Sequence, residues 1–421
     1  MLNRIFINPF MFIKIIFLTI LILVVYNYFK QNININNYNT VYEYNYIYTI
    51  IYISMLITLL LIIFINKKIL LRNKNILFIF LIFSLVLFFL IFSKSIFIFF
   101  ISYEMLLLLT ALIVNITSPN IRSKIITLYF LFWTQLSSFF LWIAIFILYK
   151  YTNATTFIFN TNMMPLNIKL LIKWILFIGF SIKLPLWPFS FWLIKTHVEA
   201  NTSFSIFLSG VLVKTALIGL LKFQYFFINT NNTIIIHIVI ISLIATTYSL
   251  ASQVDFKKLI AYTTVQEMSL IVFFIIYNNF INLNIILYFI LLHTFFSIIL
   301  FFLNDIIYIR FKTRKTKLLL GISTTMPKLN SLIILIWLIF TGLPLSFKFI
   351  LEIIFLLKVL TLPNIFIFIF IITIQFLSII FITINVITYI FGNGNKTSFD
   401  LSKNEFIIII ITLLFITLLL F

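Results

Sequence analysis

The chain has 421 residues, of which 63% are hydrophobic and only 9% charged, and its formal net charge is +20. A water-soluble domain is nearer half apolar and a quarter charged, so lipid must be the solvent for most of this chain. With no cysteine and only three histidines, disulfides, iron–sulfur clusters and thiolate zinc sites are excluded and haem ligation is disfavoured. The basic excess lies between apolar runs, where it sets membrane topology and is no nucleic-acid footprint.

Hydrophobic stretches of about 18 residues or more, each enough to cross ~30 Å of hydrocarbon, recur from end to end. The expected fold is an all-α membrane protein of about 13 transmembrane helices, with cores at 10–29, 46–66, 76–93, 95–117, 125–149, 169–192, 203–223, 233–250, 257–277, 281–303, 330–358, 364–391 and 405–421. Little more than Lys94 separates the third and fourth, which makes that boundary the weakest. No soluble domain is left over. If the spans alternate, one set of loops plus the N-terminus carries eighteen Lys and Arg, and the opposite side and its helix ends carry seven. That asymmetry obeys the positive-inside rule and puts the basic loops, among them Lys195 and Lys257–Lys258, toward a matrix or a bacterial cytoplasm.

Two spans are interrupted. The sixth reads GFSIKLPLWPFSFWL (Gly179 to Leu193) and the eleventh TGLPLSFKFILE (Thr341 to Glu352). Each carries a glycine and then Leu-Pro-Leu in mid-span. Proline removes a backbone donor and breaks the helical ladder, which lipid tolerates only where protein or a water-lined cavity satisfies the freed groups. Broken helices at matching places in two halves point to an inverted-repeat transporter and its ion site. The alternative is two unrelated proline kinks, near Pro185 and Pro344.

Of the nine acidic residues, Glu104, Glu267 and Glu352 lie in mid-span, as do Lys183, Lys214, Lys348 and His293. A charge at the helix centre costs ~2.5–3.5 kcal/mol on insertion scales, so such groups face the bundle interior and find partners. Burial lowers a lysine's pKa and a nearby carboxylate raises it again, so a Glu–Lys pair of variable separation can load and release a proton. Plainer roles stand beside this. A buried pair can simply hold helices together, His293 can be an interior histidine, Lys348 and Glu352 can pair at i,i+4, and Asp255 with Lys257–Lys258 reads as an interfacial cluster.

The stretch Gly179 to Lys222, GFSIKLPLWPFSFWLIKTHVEANTSFSIFLSGVLVKTALIGLLK, resembles the antiporter-like subunits of respiratory complex I. Its WL-x-K-x-HVEA run (Trp192 to Ala200) and Ser-Gly-x-Leu-x-Lys (Ser209 to Lys214) are more similar to the subunit 4 branch than to branches 2 and 5. SYEMLLL (Ser102 to Leu108), DFKKLIAYTTVQEMS (Asp255 to Ser269) and GLPLSFKFILE are similar to further patches of that family, in the same order, over roughly residues 76–421.

The resemblance implies a proton-translocating membrane-arm subunit of NADH:ubiquinone oxidoreductase. Residues 1–75 would be divergent N-terminal helices, 76–223 and 233–391 two half-channel bundles, and 405–421 a last helix. Glu104 and Lys183 would form a coupling pair, Lys214 the central carrier, His293 a relay and Glu352 the terminal exchanging group, with Glu267 standing in for a relay histidine. No cofactor is implied in this subunit. NADH, FMN, iron–sulfur clusters and ubiquinone would sit in partner subunits, with antiporter-like subunits 2 and 5 as neighbours, in the mitochondrial inner membrane. The A+T-rich residue usage and the absence of an Arg/Ser-rich presequence agree with synthesis inside an organelle. A cation/proton antiporter subunit of the same superfamily and a scaffold with a decayed path are the competing functions.

The departures from the family pattern are Ser190 and Glu267 where histidine is usual, Lys348 at an Asn-like position, Ile121–Arg122 for a Glu–Arg pair, and no proline near Ile194 or Asn201. The span count is one short of the family's usual number, so a further N-terminal helix is expected to be lost or to come from another chain.

Overall fold

The computed structural model describes residues 39–65, 74–117, 121–157, 164–227, 232–277, 283–316, 321–344, 346–360, 365–390 and 399–418. The expected first span, 10–29, lies outside these residues. Among the described residues the chain is helical, with no β-strand beyond two isolated bridges. The helices are α1 Asn39–Ile65, α2 Lys74–Phe92, α3 Ile96–Thr117, α4 Ile121–Thr152, α5 Leu166–Lys183, α6 Phe191–Glu199 and α7 Thr202–Lys222. They continue with α8 Thr233–Ala251, α9 Phe256–Tyr277, α10 Leu283–Phe311, α11 Pro327–Phe340, α12 Phe347–Leu360, α13 Ile365–Ile390 and α14 Lys403–Leu418. Seven of the described helices are long and apolar enough to cross a membrane, by length and composition.

The expected weak boundary is real. Helix α2 stops at Phe92 and α3 starts at Ile96, with the corner pinned by Ile96 N–H donating to Thr155 O at 2.9 Å. Lys222 also closes this corner, donating to the carbonyls of Leu90 and Ser93 at 2.9 Å each. Leu90 O in the last turn of α2 also accepts the Ser93 hydroxyl at 3.1 Å, and the cation there caps the negative end of the helix.

Both interrupted spans are broken where the prolines predict. Helix α5 ends at Lys183 and helical structure resumes only at Phe191. Pro185 cannot donate to Ser181 O, and Leu186 N–H takes that carbonyl instead at 3.0 Å. The next carbonyl, Ile182 O, accepts the indole N–H of Trp192 at 2.7 Å, which folds α6 back onto the break. Helix α11 ends at Phe340 and α12 begins at Phe347, with Leu343 N–H donating to Leu338 O at 3.0 Å and Gly342 at φ 81° turning the chain. Ser346 Oγ receives Phe349 N–H at 3.3 Å and caps α12. Lys195, expected in a loop, sits on the exposed face of α6 with its ammonium over the Tyr129 ring. The break is followed by a further short helix, because Pro188 does not prevent the apolar Phe191–Ile194 run from winding.

Burial divides the bundle. The apolar window of α7 is 100% buried and those of α9 and α10 are 89% buried, against 22% for α13. Helix α4 turns Leu128, Phe132, Phe139, Trp142 and Phe146 outward at three- and four-residue spacing, the stripe of a helix whose solvent is lipid. The π-turn of α7 packs on α10, α6 packs on α9, and α12 packs on α10. The helices that carry mid-span charge are therefore the ones that meet in the interior.

Candidate proton pathway

The first cluster lies at the first break. Lys183 is the last residue of α5, at the carbonyl end of a half-helix, where a cation is favoured. Its Nζ lies 3.3 Å from the centroid of the Tyr103 ring and makes no hydrogen bond to a protein atom. Glu104, the next residue after Tyr103 on α3, is the carboxylate whose charge acts on it. No ion pair within 4.0 Å joins Glu104 to Lys183, and Glu104 Oε1 is likewise buried without a hydrogen bond. The two expected partners interact through their charges and are not clamped.

The second cluster is central. Lys214 is fully buried. Just before it, Leu208–Leu212 forms a π-turn, the backbone irregularity that frequently marks functional sites. The turn leaves the Ser209 carbonyl facing the Lys214 ammonium, which donates to it. The same Nζ stands 2.6 Å from Nδ1 of His293 on α10, and His293 Nε2 has no protein partner. A ring with one nitrogen engaged and the other free can take a proton at one side and release it at the other.

The third cluster lies at the second break. Lys348, on the first turn of α12, pairs with Glu267 Oε1 of α9. Its second carboxylate is Glu352, one turn on, at 3.8 Å. The i,i+4 pairing expected from spacing is present, but the cross-helix contact to Glu267 is the closer one. Lys348 also lies over the Phe340 ring at 4.2 Å. A cavity of about 30 Å³ adjoins these groups, lined by Thr263, Gln266, Glu267, Lys348, Glu352 and Gln375. Leu270, Phe340, Ile379 and Ile382 are also part of its wall, and it has room for a water molecule or two beside the polar groups.

The clusters feel one another. Glu267 is the carboxylate that acts on Lys214. The charges of Lys214, Lys348 and His197 all act on His293. Of the expected residues, Lys214 and His293 are in contact, and so are Glu267, Lys348 and Glu352.

Two residues gain importance only from the packing. His197 is fully buried on α6, stacks on Phe301 with ring centroids 4.8 Å apart, and has no protein hydrogen bond at either nitrogen. The charges of both Lys257 and Lys214 act on it. The HVEA run contained it, and a histidine inside a broken-helix motif was the available signal. Lys257, expected in an interfacial cluster, is instead fully buried and donates to Ala200 O at 2.5 Å. The bend between α6 and α7 supplies that carbonyl, which no local pattern around Lys257 reveals. Among the described residues no group of His, Asp and Glu is arranged to hold a metal ion.

The family described as NADH:quinone oxidoreductase/Mrp antiporter, TM, matches residues 93–378. The NADH-ubiquinone oxidoreductase chain 4 of Paramecium tetraurelia is 37% identical over 256 residues, covering 60% of this chain and 54% of that one. That of Acanthamoeba castellanii is 30% identical over 298 residues, covering 68% and 59%. The chain thus spans between 54% and 59% of the length of these two relatives. Among solved structures, a chain of respiratory complex I from Thermus thermophilus with bound aureothin superposes with a TM-score of 0.75 at 14% identity, covering 88% of this chain and 83% of that one. A chain of the Mrp complex from Dietzia superposes with a TM-score of 0.74 at 13% identity, covering 83% and 67%. At these identities the structural likeness speaks for the fold. Matched from before its first buried glutamate to beyond its second broken helix, the chain belongs to the NADH:quinone oxidoreductase/Mrp antiporter transmembrane family.

Proposed function

We propose that the chain is a proton-translocating membrane-arm subunit of NADH:ubiquinone oxidoreductase, of the subunit 4 type, working in the mitochondrial inner membrane with its basic loops toward the matrix. The observation that carries this reading is the 2.6 Å contact between Lys214 and His293, with a carboxylate–lysine–carboxylate group beyond it. Protons enter past Glu104 and Lys183, reach Lys214, cross His293 and leave through Glu267, Lys348 and Glu352. Each of these charges is costly in a bundle interior, and a scaffold would gain nothing by retaining them. The two bundles, 76–223 and 233–391, act as half-channels around this axis. The subunit holds no redox cofactor in this reading, and NADH, FMN, iron–sulfur clusters and ubiquinone belong to partner subunits. Its neighbours are other membrane-arm subunits, the antiporter-like subunits 2 and 5 among them, together with membrane lipid.

The test is Lys214→Met in the assembled enzyme, with NADH oxidation and proton uptake read together. A sharp fall in both with assembly intact supports the reading, and undiminished rates exclude Lys214 as the carrier. A second reading, a cation/proton antiporter subunit, draws on the equally close superposition with the Mrp chain. It predicts sodium-dependent proton exchange in vesicles without NADH. The named sequence relatives favour the redox-driven reading.

A further inference from the structure

We propose that Lys348 is a gating cation shared by two carboxylates, so that only one of Glu267 and Glu352 is free to take a proton at a time. The inference rests on the proton-path reading and adds to it a residue that controls direction.

Three observations carry it. First, one ammonium serves two carboxylates from different helices: Glu267 on α9 in close contact, and Glu352 on α12 at 3.8 Å. Two carboxylates in one desolvated site cannot both stay ionised unaided. With one lysine between them both can, and the one held less closely is the better proton acceptor. In this structure that one is Glu352. Second, the two carboxylates have different further neighbours. Glu267 is the one whose charge acts on Lys214, while Glu352 approaches the turn of the second break at Gly342. Third, the adjoining cavity holds another unpaired polar group, Gln375 Nε2 on α13, and has room for water.

The charges balance throughout. With Lys214 protonated, two cations (Lys214 and Lys348) face two carboxylates. When the proton moves, an N–H bond of Lys214 breaks, the His293 ring accepts at Nδ1 and releases at Nε2, and an O–H bond forms on the free carboxylate. Lys214 is then a neutral amine, one glutamate is a carboxylic acid, and Lys348 still balances the other. Neither state leaves an uncompensated ion in the interior, which would cost several kcal/mol. Lys348 sits on a flexible four-carbon stem. Its move from Glu267 to Glu352 would free the carboxylate whose charge acts on Lys214 and release the proton from the other. Its return to Glu267 passes the newly loaded proton on to Glu352, and at no stage are both carboxylates free at once.

The experiment uses the assembled enzyme in sealed vesicles, with protons moved per NADH oxidised and the infrared carbonyl band of protonated carboxyl groups as readouts. Lys348→Met is expected to add one protonated carboxyl at rest, because a proton must replace the lost cation. It should also lower protons per NADH about twofold or more. Lys348→Arg keeps the cation and should keep the ratio. Adding Glu267→Gln to Lys348→Met should remove the extra carboxyl band, a rescue that a merely space-filling lysine would not show. An unchanged ratio or no new band in Lys348→Met overturns the proposal. If that variant does not assemble, Glu267→Gln alone decides: Lys348 is then committed to Glu352, and a normal ratio overturns gating. Failure of the underlying function would show differently, as an unmodified chain that is absent from any NADH-oxidising assembly.

Discussion

Lys214 and His293 are 79 positions apart in the chain, yet the lysine ammonium and the histidine Nδ1 stand 2.6 Å apart in the bundle interior. The contact exists because the π-turn of α7 packs on α10. Replacing His293 with Gln keeps the volume and a hydrogen-bonding group but removes the second titrating nitrogen. Loss of a positioned proton-transfer group typically costs ~100-fold or more in the step it serves. Proton uptake coupled to NADH oxidation should collapse while the assembled enzyme stays intact by native electrophoresis. Unimpaired uptake would show that His293 only packs.

Gly342 occupies the left-handed region at φ 81°, and a Cβ there would meet Glu352 Oε2 at 3.0 Å. Gly342→Ala therefore strains the backbone by roughly 1–2 kcal/mol and pushes the carboxylate away from its place. The expected result is an assembled but poorly pumping enzyme, with the defect larger than that of Ser346→Ala on the same turn. Equal effects would mean that the turn, and not the room it leaves for Glu352, is what matters.

Gly219 lies one and a half turns beyond Lys214, and a Cβ there would fall 2.5 Å from Phe180 Cε1 and 2.9 Å from Phe99 Cζ. Both rings are buried and cannot move without disturbing α5 and α3. Gly219→Ala should destabilise the bundle by about 1–3 kcal/mol, the usual penalty of overpacking. A lowered thermal aggregation temperature of the purified complex would register it. The paired variant Gly219→Ala with Phe180→Leu should recover part of the loss.

Arg310 on α10 reaches Glu405 Oε2 at 2.7 Å and the carbonyls of Phe399 and Asp400 at 2.8 and 3.2 Å. Asp400 in turn accepts the N–H groups of Lys328 and Leu329 at the start of α11. Arg310→Leu leaves Glu405 partly buried with the Ser402 N–H but no cation as partner, at a cost of ~1.5–3 kcal/mol for a charged hydrogen-bond partner. Helix α14 should loosen, and limited proteolysis should cut between Phe399 and Ser402 faster than in the unmodified enzyme. Arg310→Lys should recover only part, since a single ammonium cannot reproduce the fork.

The candidate path could be named along the chain because buried charge is expensive. Glu104, Lys183, Lys214, His293, Glu267 and Glu352 stood out as ionisable groups inside apolar runs, and the prolines marked both breaks through the donor they lack. Spacing also disclosed Lys348 and Glu352 as i,i+4 neighbours. It could not disclose that Glu267, 81 positions before Lys348, is the nearer partner, because that depends on how α9 lies against α12. For the same reason Lys257 read as interfacial and His197 was quoted without a role. The apolar run lengths did establish that this is a membrane bundle, since lipid is the only solvent such a composition can occupy. Which charges meet, which stand over aromatic rings and which remain unpaired was decided only by tertiary packing, because the membrane dictates that buried ions find partners but not which helix supplies them.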